Sequence, residues 1–144
     1  MAEPRPTKEQ MKQFNAGIIA EFRDNGGKVG GPFEGQTMVL LTTTGAKSGK
    51  SHTTPLVCGQ DGDTRYVIAS AAGAPKHPAW FHNLRANPTV KVEAGAETYD
   101  ATAKPVDEPK RSELYAAMEE RMPPFKDYRS RTERTIPVVL LERA

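Results

Sequence analysis

The sequence predicts an α+β domain in which about six mostly antiparallel strands form a small barrel with helices around it. Three observations predict it. Twelve glycines and twelve prolines in 144 residues favour short elements joined by many turns. From Thr37 onward the apolar pattern breaks into short β-rich runs bounded by turn residues. The strands are not regularly interleaved with crossover helices, which disfavours a parallel sheet. A chain of this length buries enough surface for one core without metal or disulfide staples.

Thr7 and Gln10 have capping-box spacing, and Met11, Phe14, Ile18, Ile19 and Phe22 then recur on one helical face until Gly26-Gly27 stops it. The runs TMVLLTTT, SHTTPLVCG and TRYVIAS, with Asp61-Gly62 as a hairpin turn, read as three antiparallel strands in series. Pro78 opens a short helix through Trp80, Phe81, Leu84 and Arg85, and Asn87-Pro88 ends it. TVKVEA and ETYDATAKPV form a second strand pair around Gly95. Asp107 and Pro109 open a helix with Leu114, Met118 and Met122 on one face, and Pro123-Pro124 breaks it. The following stretch to Arg129 reads as a loop, and IPVVLLE as the last strand.

Twenty Lys and Arg against 18 Asp and Glu leave a net charge of +2, too balanced for a dedicated nucleic-acid binder. A single cysteine, Cys58, forms no internal disulfide and is expected to pack in its strand. That usage, with no apolar run near 20 residues and no signal-peptide core, predicts a cytoplasmic protein. Peripheral contact with the inner face of the cell membrane is the variant that the first helix allows, although such faces usually pack on a core. His52, His77 and His82 have no metal-ligand spacing, so no metal is expected, and Ser48, Ser51 and Ser70 lack a Gly-x-Ser-x-Gly elbow.

Three constellations could carry chemistry. Gly45-Ala46-Lys47-Ser48-Gly49-Lys50-Ser51 falls short of a phosphate loop, with three residues between its glycines and a strand after it. It is either an anion-binding turn with two cations or a solvated hairpin tip. The small-residue run Ser70–Trp80 lets a ligand approach the backbone ahead of a helix N-terminus, or is a tight loop with Trp80 and Phe81 in the core. Arg121–Arg129 mixes aromatic and cationic groups, as a lid over a pocket or as ordinary loop packing.

The runs LLTTTGAKSGKSHTTPL, ASAAGAPKHPAWFHNLRANPTVKV and RTERTIPVVLLE, in that order across residues 38–142, resemble the deazaflavin (F420)-dependent nitroreductase family. The resemblance implies one domain, made of an N-terminal segment and helix over residues 1–27 and a split β-barrel over 28–144. It also implies coenzyme F420 as hydride donor and a quinone or nitroaromatic as acceptor. Carried over by position, Lys47, Ser48 and Gly49, with Lys50, would hold the coenzyme's acidic tail, and Pro55 would also belong to the coenzyme site. Ala69, Ser70, Ala79 and Trp80 would surround its phosphate or ring, with Lys76 and Asn83 in the same groove. Met122, Phe125 and Tyr128 would line the acceptor pocket, and Ser70 and Tyr128 would act as catalytic hydroxyls. Ala46 and His52 stand where some members carry cations, and Val57 where some carry an aromatic. Related split barrels make FMN the alternative cofactor, and a non-catalytic deazaflavin or lipid carrier is the non-enzyme alternative. A homodimer is compatible with the fold.

Overall fold

The computed structural model describes residues 8–31, 35–74 and 76–144. The capping residue Thr7, the side chain of Met11, and Pro75 lie outside the described residues. The strands are β1 (Met38–Thr44), β2 (Ser51–Asp61), β3 (Thr64–Ile68), β4 (Thr89–Ala94), β5 (Glu97–Pro105) and β6 (Val138–Arg143). They close into a barrel in the order β1-β2-β3-β6-β5-β4, every pairing antiparallel.

Period-two alternation sorts the side chains. Val39, Leu41, Cys58, Val67, Ala69, Val90, Val92, Ala101, Ala103, Val139 and Leu141 form one buried cluster, small and β-branched enough for a narrow barrel. Helix α2 (Ala79–Ala86) adds Trp80, Phe81 and Leu84 to it. The opposite series is covered from outside. Helix α1 (Lys8–Asp24) lays Ile18 and Phe22 over Met38 and Leu40. Helices α3 (Lys110–Arg121) and α4 (Pro124–Ser130) cover Tyr66, Ile68 and Val138 with Leu114, Met118 and Phe125.

Pro109 is the N-cap residue of α3, and the Glu108 carboxylate just before it accepts the Ser112 N–H at 2.9 Å. One local expectation changes. The stretch after Pro123-Pro124 is not a loop: Pro124–Ser130 is helical. Proline breaks a helix only where its N–H is needed, and at the first helical position none is.

The split comes from β2. Residues 51–57 pair with β1, whereas only 58–61 pair with β3. The Cys58 N–H donates to the Thr37 carbonyl at 2.9 Å, so alternation turns the backbone of 54, 56 and 58 toward β1 and that of 53, 55 and 57 toward an open edge. Pro55 therefore lacks its N–H where no strand requires one. On the other side, the Ala69 N–H donates to the Pro137 carbonyl, following β6, and the chain then turns through Ala71–Gly73. Continuing the β2–β3 register would set Pro55 opposite Ser70. The barrel opens between them.

Candidate functional site

One end of the open edge is the turn between β1 and β2. The Gly45 N–H donates to the Lys50 carbonyl at 2.8 Å and the Gly49 N–H to the Gly45 carbonyl at 3.0 Å, while Ser48 Oγ accepts the Lys50 N–H at 3.2 Å. A Cβ on Gly45 would collide with Ser48 Oγ, so the turn is tight. Lys47, Ser48, Gly49 and Lys50 are exposed, and neither lysine has an ion-pair partner among the described residues. A tight turn with two uncommitted cations presents positive charge to an anion.

Asn83 on α2 fixes where that turn sits. Its buried amide donates to Thr43 Oγ1 at 3.2 Å and accepts the Ala46 N–H at 3.0 Å. The residue that family position places in the groove thus also bonds the protein. It ties the lysine turn to the helix whose first turn carries Ala79 and Trp80. Trp80 is 7% exposed and belongs mostly to the core, whereas Ala79 and Lys76 are exposed.

The facing wall is built from residues 69–74 and 76–77. Ala69 is fully buried, with its side chain in the barrel's core cluster. Ser70 is 8% exposed, and its hydroxyl makes no hydrogen bond among the described residues. The wall is held by Arg134, which sequence reasoning missed. Its Nε donates to the Ala74 carbonyl at 2.8 Å, Nη1 to the Ala69 carbonyl at 3.1 Å, and Nη2 to the Ser70 carbonyl at 2.6 Å. Nη1 also lies 3.0 Å from His77 Nδ1. Burial lowers the Arg134 pKa. It also lowers that of His77, assisted by Arg134, His82 and Arg85. A lone arginine ahead of an apolar strand reads as surface charge, so the sequence carried no signal for it.

The third part is the α3–α4 corner. Phe125 is buried edge-on against Tyr115 and Tyr128, with centroids 6.1 and 5.3 Å away. Tyr115 donates its hydroxyl to the Phe125 carbonyl, and burial pushes its pKa up to about 12. Tyr128 is half-buried, with no hydrogen bond to its hydroxyl among the described residues and with the Arg131 guanidinium 5.9 Å from its ring. Met122 caps α3, partly buried in the same cluster. Gly73 joins this corner to the 69–77 wall. Its φ is +78°, and a Cβ there would lie 2.7 Å from the Tyr128 carbonyl oxygen and 3.1 Å from its Cα. Ser70 and Tyr128 therefore sit on two segments in direct contact, and the Asn83 bonds hold the lysine turn against α2.

The chain matches the family described as F420H(2)-dependent quinone reductase over residues 17–143. It is 40% identical over 128 residues to an F420H(2)-dependent quinone reductase of Mycobacterium tuberculosis strain H37Rv, covering 86% of each chain. Among solved structures, an F420-H2 dependent reductase (FDR-A) superposes with a TM-score of 0.67 at 40% identity, covering 73% of this chain and 93% of that one. A second, described as a domain-swapped dimer, superposes with a TM-score of 0.70 at 34% identity, covering 91% and 98%. The quinone description is narrower than the nitroreductase wording of the sequence resemblance and agrees with its quinone branch. The chain belongs to the F420H(2)-dependent quinone reductase family, and is an F420-dependent oxidoreductase on a split β-barrel.

Proposed function

We propose that F420 lies along the open edge of β2, tail at Lys47–Lys50 and ring at Ala69–Ser70, and that a quinone meets it beneath Met122, Phe125 and Tyr128. The observation that carries this placement is the interrupted β2–β3 ladder, with two lysines at one end and the Ser70 and Tyr128 hydroxyls at the other, all without ion-pair or hydrogen-bonded side-chain partners among the described residues. The donor set fits the group. Lys47, Lys50, Ser48 Oγ and the turn's backbone suit an anionic tail. Ala69, Ser70 and Ala79 leave room for a planar ring against Trp80. Pro55 removes one backbone donor from the edge, and Lys76 adds a cation near the helix start.

Bound F420H2 supplies a hydride. The chain supplies position, since face-to-face approach at about 3–3.5 Å with water excluded accounts for most of what such a site must do. A quinone takes up that hydride and one proton to become a hydroquinone. Ser70 and Tyr128 hydrogen-bond the acceptor oxygens and pass the proton inward from water. Met122 and Phe125 carry no hydroxyl, so a nitro group, oriented by hydrogen bonds, is held less well than an apolar quinone.

An anaerobic fluorescence titration with F420, repeated with FMN and followed by menadione added to the reduced complex, tests the reading. Saturable F420 binding, oxidation on adding menadione, and several-fold weaker binding by K47A/K50A are the expected results. Unchanged affinity in that variant removes the tail placement. Binding without turnover makes the protein a carrier, and FMN preference moves it to flavin-binding split barrels.

Two finer points belong to the same reading. Among the described residues no helix is long and apolar enough to cross a membrane. Phe14, 52% exposed on α1, is the anchor expected for peripheral contact; co-sedimentation with anionic liposomes that persists in Phe14→Ser removes it. Self-association follows the solved relative described as a domain-swapped dimer. Light scattering at the monomer mass sets it aside.

A further inference from the structure

We infer that Arg134 is a positioning residue that sets the shape of the cofactor groove, acting through its clasp on residues 69–77 with His77 as the fourth acceptor. This rests on the placement of F420 proposed above. Ala69 and Pro137 are opposite one another in antiparallel register, and the Ala69 N–H donates to the Pro137 carbonyl. The reciprocal bond cannot form, because proline has no N–H. The Ala69 carbonyl, on a fully buried residue, would then be an orphan acceptor. Arg134 Nη1 takes it at 3.1 Å, three residues before Pro137 in the chain.

The same guanidinium takes the Ser70 and Ala74 carbonyls, so one side chain spans the turn in which the wall leaves β2. That turn includes Ala71 at φ +47°, a left-handed conformation that a non-glycine residue holds only when its surroundings impose it. The three carbonyl bonds impose it from one side, and the approach of Tyr128 to Gly73 from the other. A fork of five donors is needed for this, which lysine's point charge does not provide. His77 completes the clasp only as a neutral acceptor. The titratable and charged groups facing it are Arg134 from the segment before β6, and His82 and Arg85 from α2. Arg134 and Arg85 are cations, and among the described residues no carboxylate faces His77. Protonating His77 therefore sets a cation against Arg134 at 3.0 Å and opens the clasp.

The test compares wild type, Arg134→Lys, His77→Phe and His77→Asn. F420 affinity is read by calorimetry across the acid side of neutrality, and hydrogen exchange at the amides of residues 69–77 is read in the protein without coenzyme. R134K is expected to bind F420 at least tenfold more weakly, with faster exchange confined to residues 69–77 and their contacts. Wild-type affinity is expected to fall as pH drops through the His77 titration. H77N, whose side-chain carbonyl accepts at the Nδ1 position without titrating, flattens that fall; comparing variants at each pH cancels the ligand's own ionisation. Should R134K fail to fold, H77F carries the test, with weaker binding expected at every pH. Equal F420 affinity and equal exchange in R134K and H77F, or an acid fall unchanged in H77N, overturns the inference. A wild type that does not bind F420 overturns the reading beneath it instead.

Discussion

Asn83 and Tyr115 show how single buried polar groups brace the candidate site through bonds to the protein. Removing the Asn83 amide leaves Thr43 Oγ1 and the Ala46 N–H without their partner, and an unmade buried bond costs about 1–3 kcal/mol. Asn83→Ala is expected to lower stability by that order in urea unfolding and to loosen the lysine turn, weakening F420 binding. Tyr115 makes a pH prediction. Its pKa is raised from 10.0 to about 12, so the stability it contributes is complete below pH 10 and is lost as pH rises through about 12. Tyr115→Phe is expected to cost about 1–2 kcal/mol at neutral pH. Its denaturation midpoint should also decline less steeply between pH 10 and 12 than that of wild type.

Among elements, α4 and α1 use the barrel's outer face for different ends. Helix α4 rests on Gly73, where backbone meets backbone and a positive φ excludes most side chains. Gly73→Ala is expected to push α4 from the 69–77 wall and to raise the KM for menadione more than the Kd for F420, as steady-state kinetics beside a binding titration will show. An equal change in both would make the contact merely structural. In α1, Phe22 is fully buried over Met38 and Leu40. Phe22→Ala is expected to cost about 3–5 kcal/mol in chemical denaturation, the range for a large aromatic removed from a core.

Across the whole molecule, binding F420 to the folded barrel alone must raise the melting temperature by mass action. Coenzyme at a hundred times its Kd adds about 2.7 kcal/mol. A thermal shift with F420 that FMN does not reproduce at equal concentration is the expected result, and the reverse order would exchange the cofactor.

The elements were legible because each rests on local information. Period-two runs, the Asp61-Gly62 and Gly95 turns and the Asn87-Pro88 stop all act within a few residues, and the succession of strands was enough for an antiparallel barrel. α4 was misread because proline's effect depends on whether its N–H is needed, which only the finished helix decides. Of the site, the glycine-lysine turn and the small-residue run could be singled out by composition, and their joint purpose came from the family resemblance. Tertiary structure alone decided that Asn83 bonds the lysine turn from α2 and that Trp80 packs mainly in the core. It also decided that Arg134 replaces a bond that Pro137 cannot make. These depend on pairings between residues 37 to 65 positions apart, and a chain's local pattern carries no record of which distant carbonyl will be left without a donor once the strands have closed.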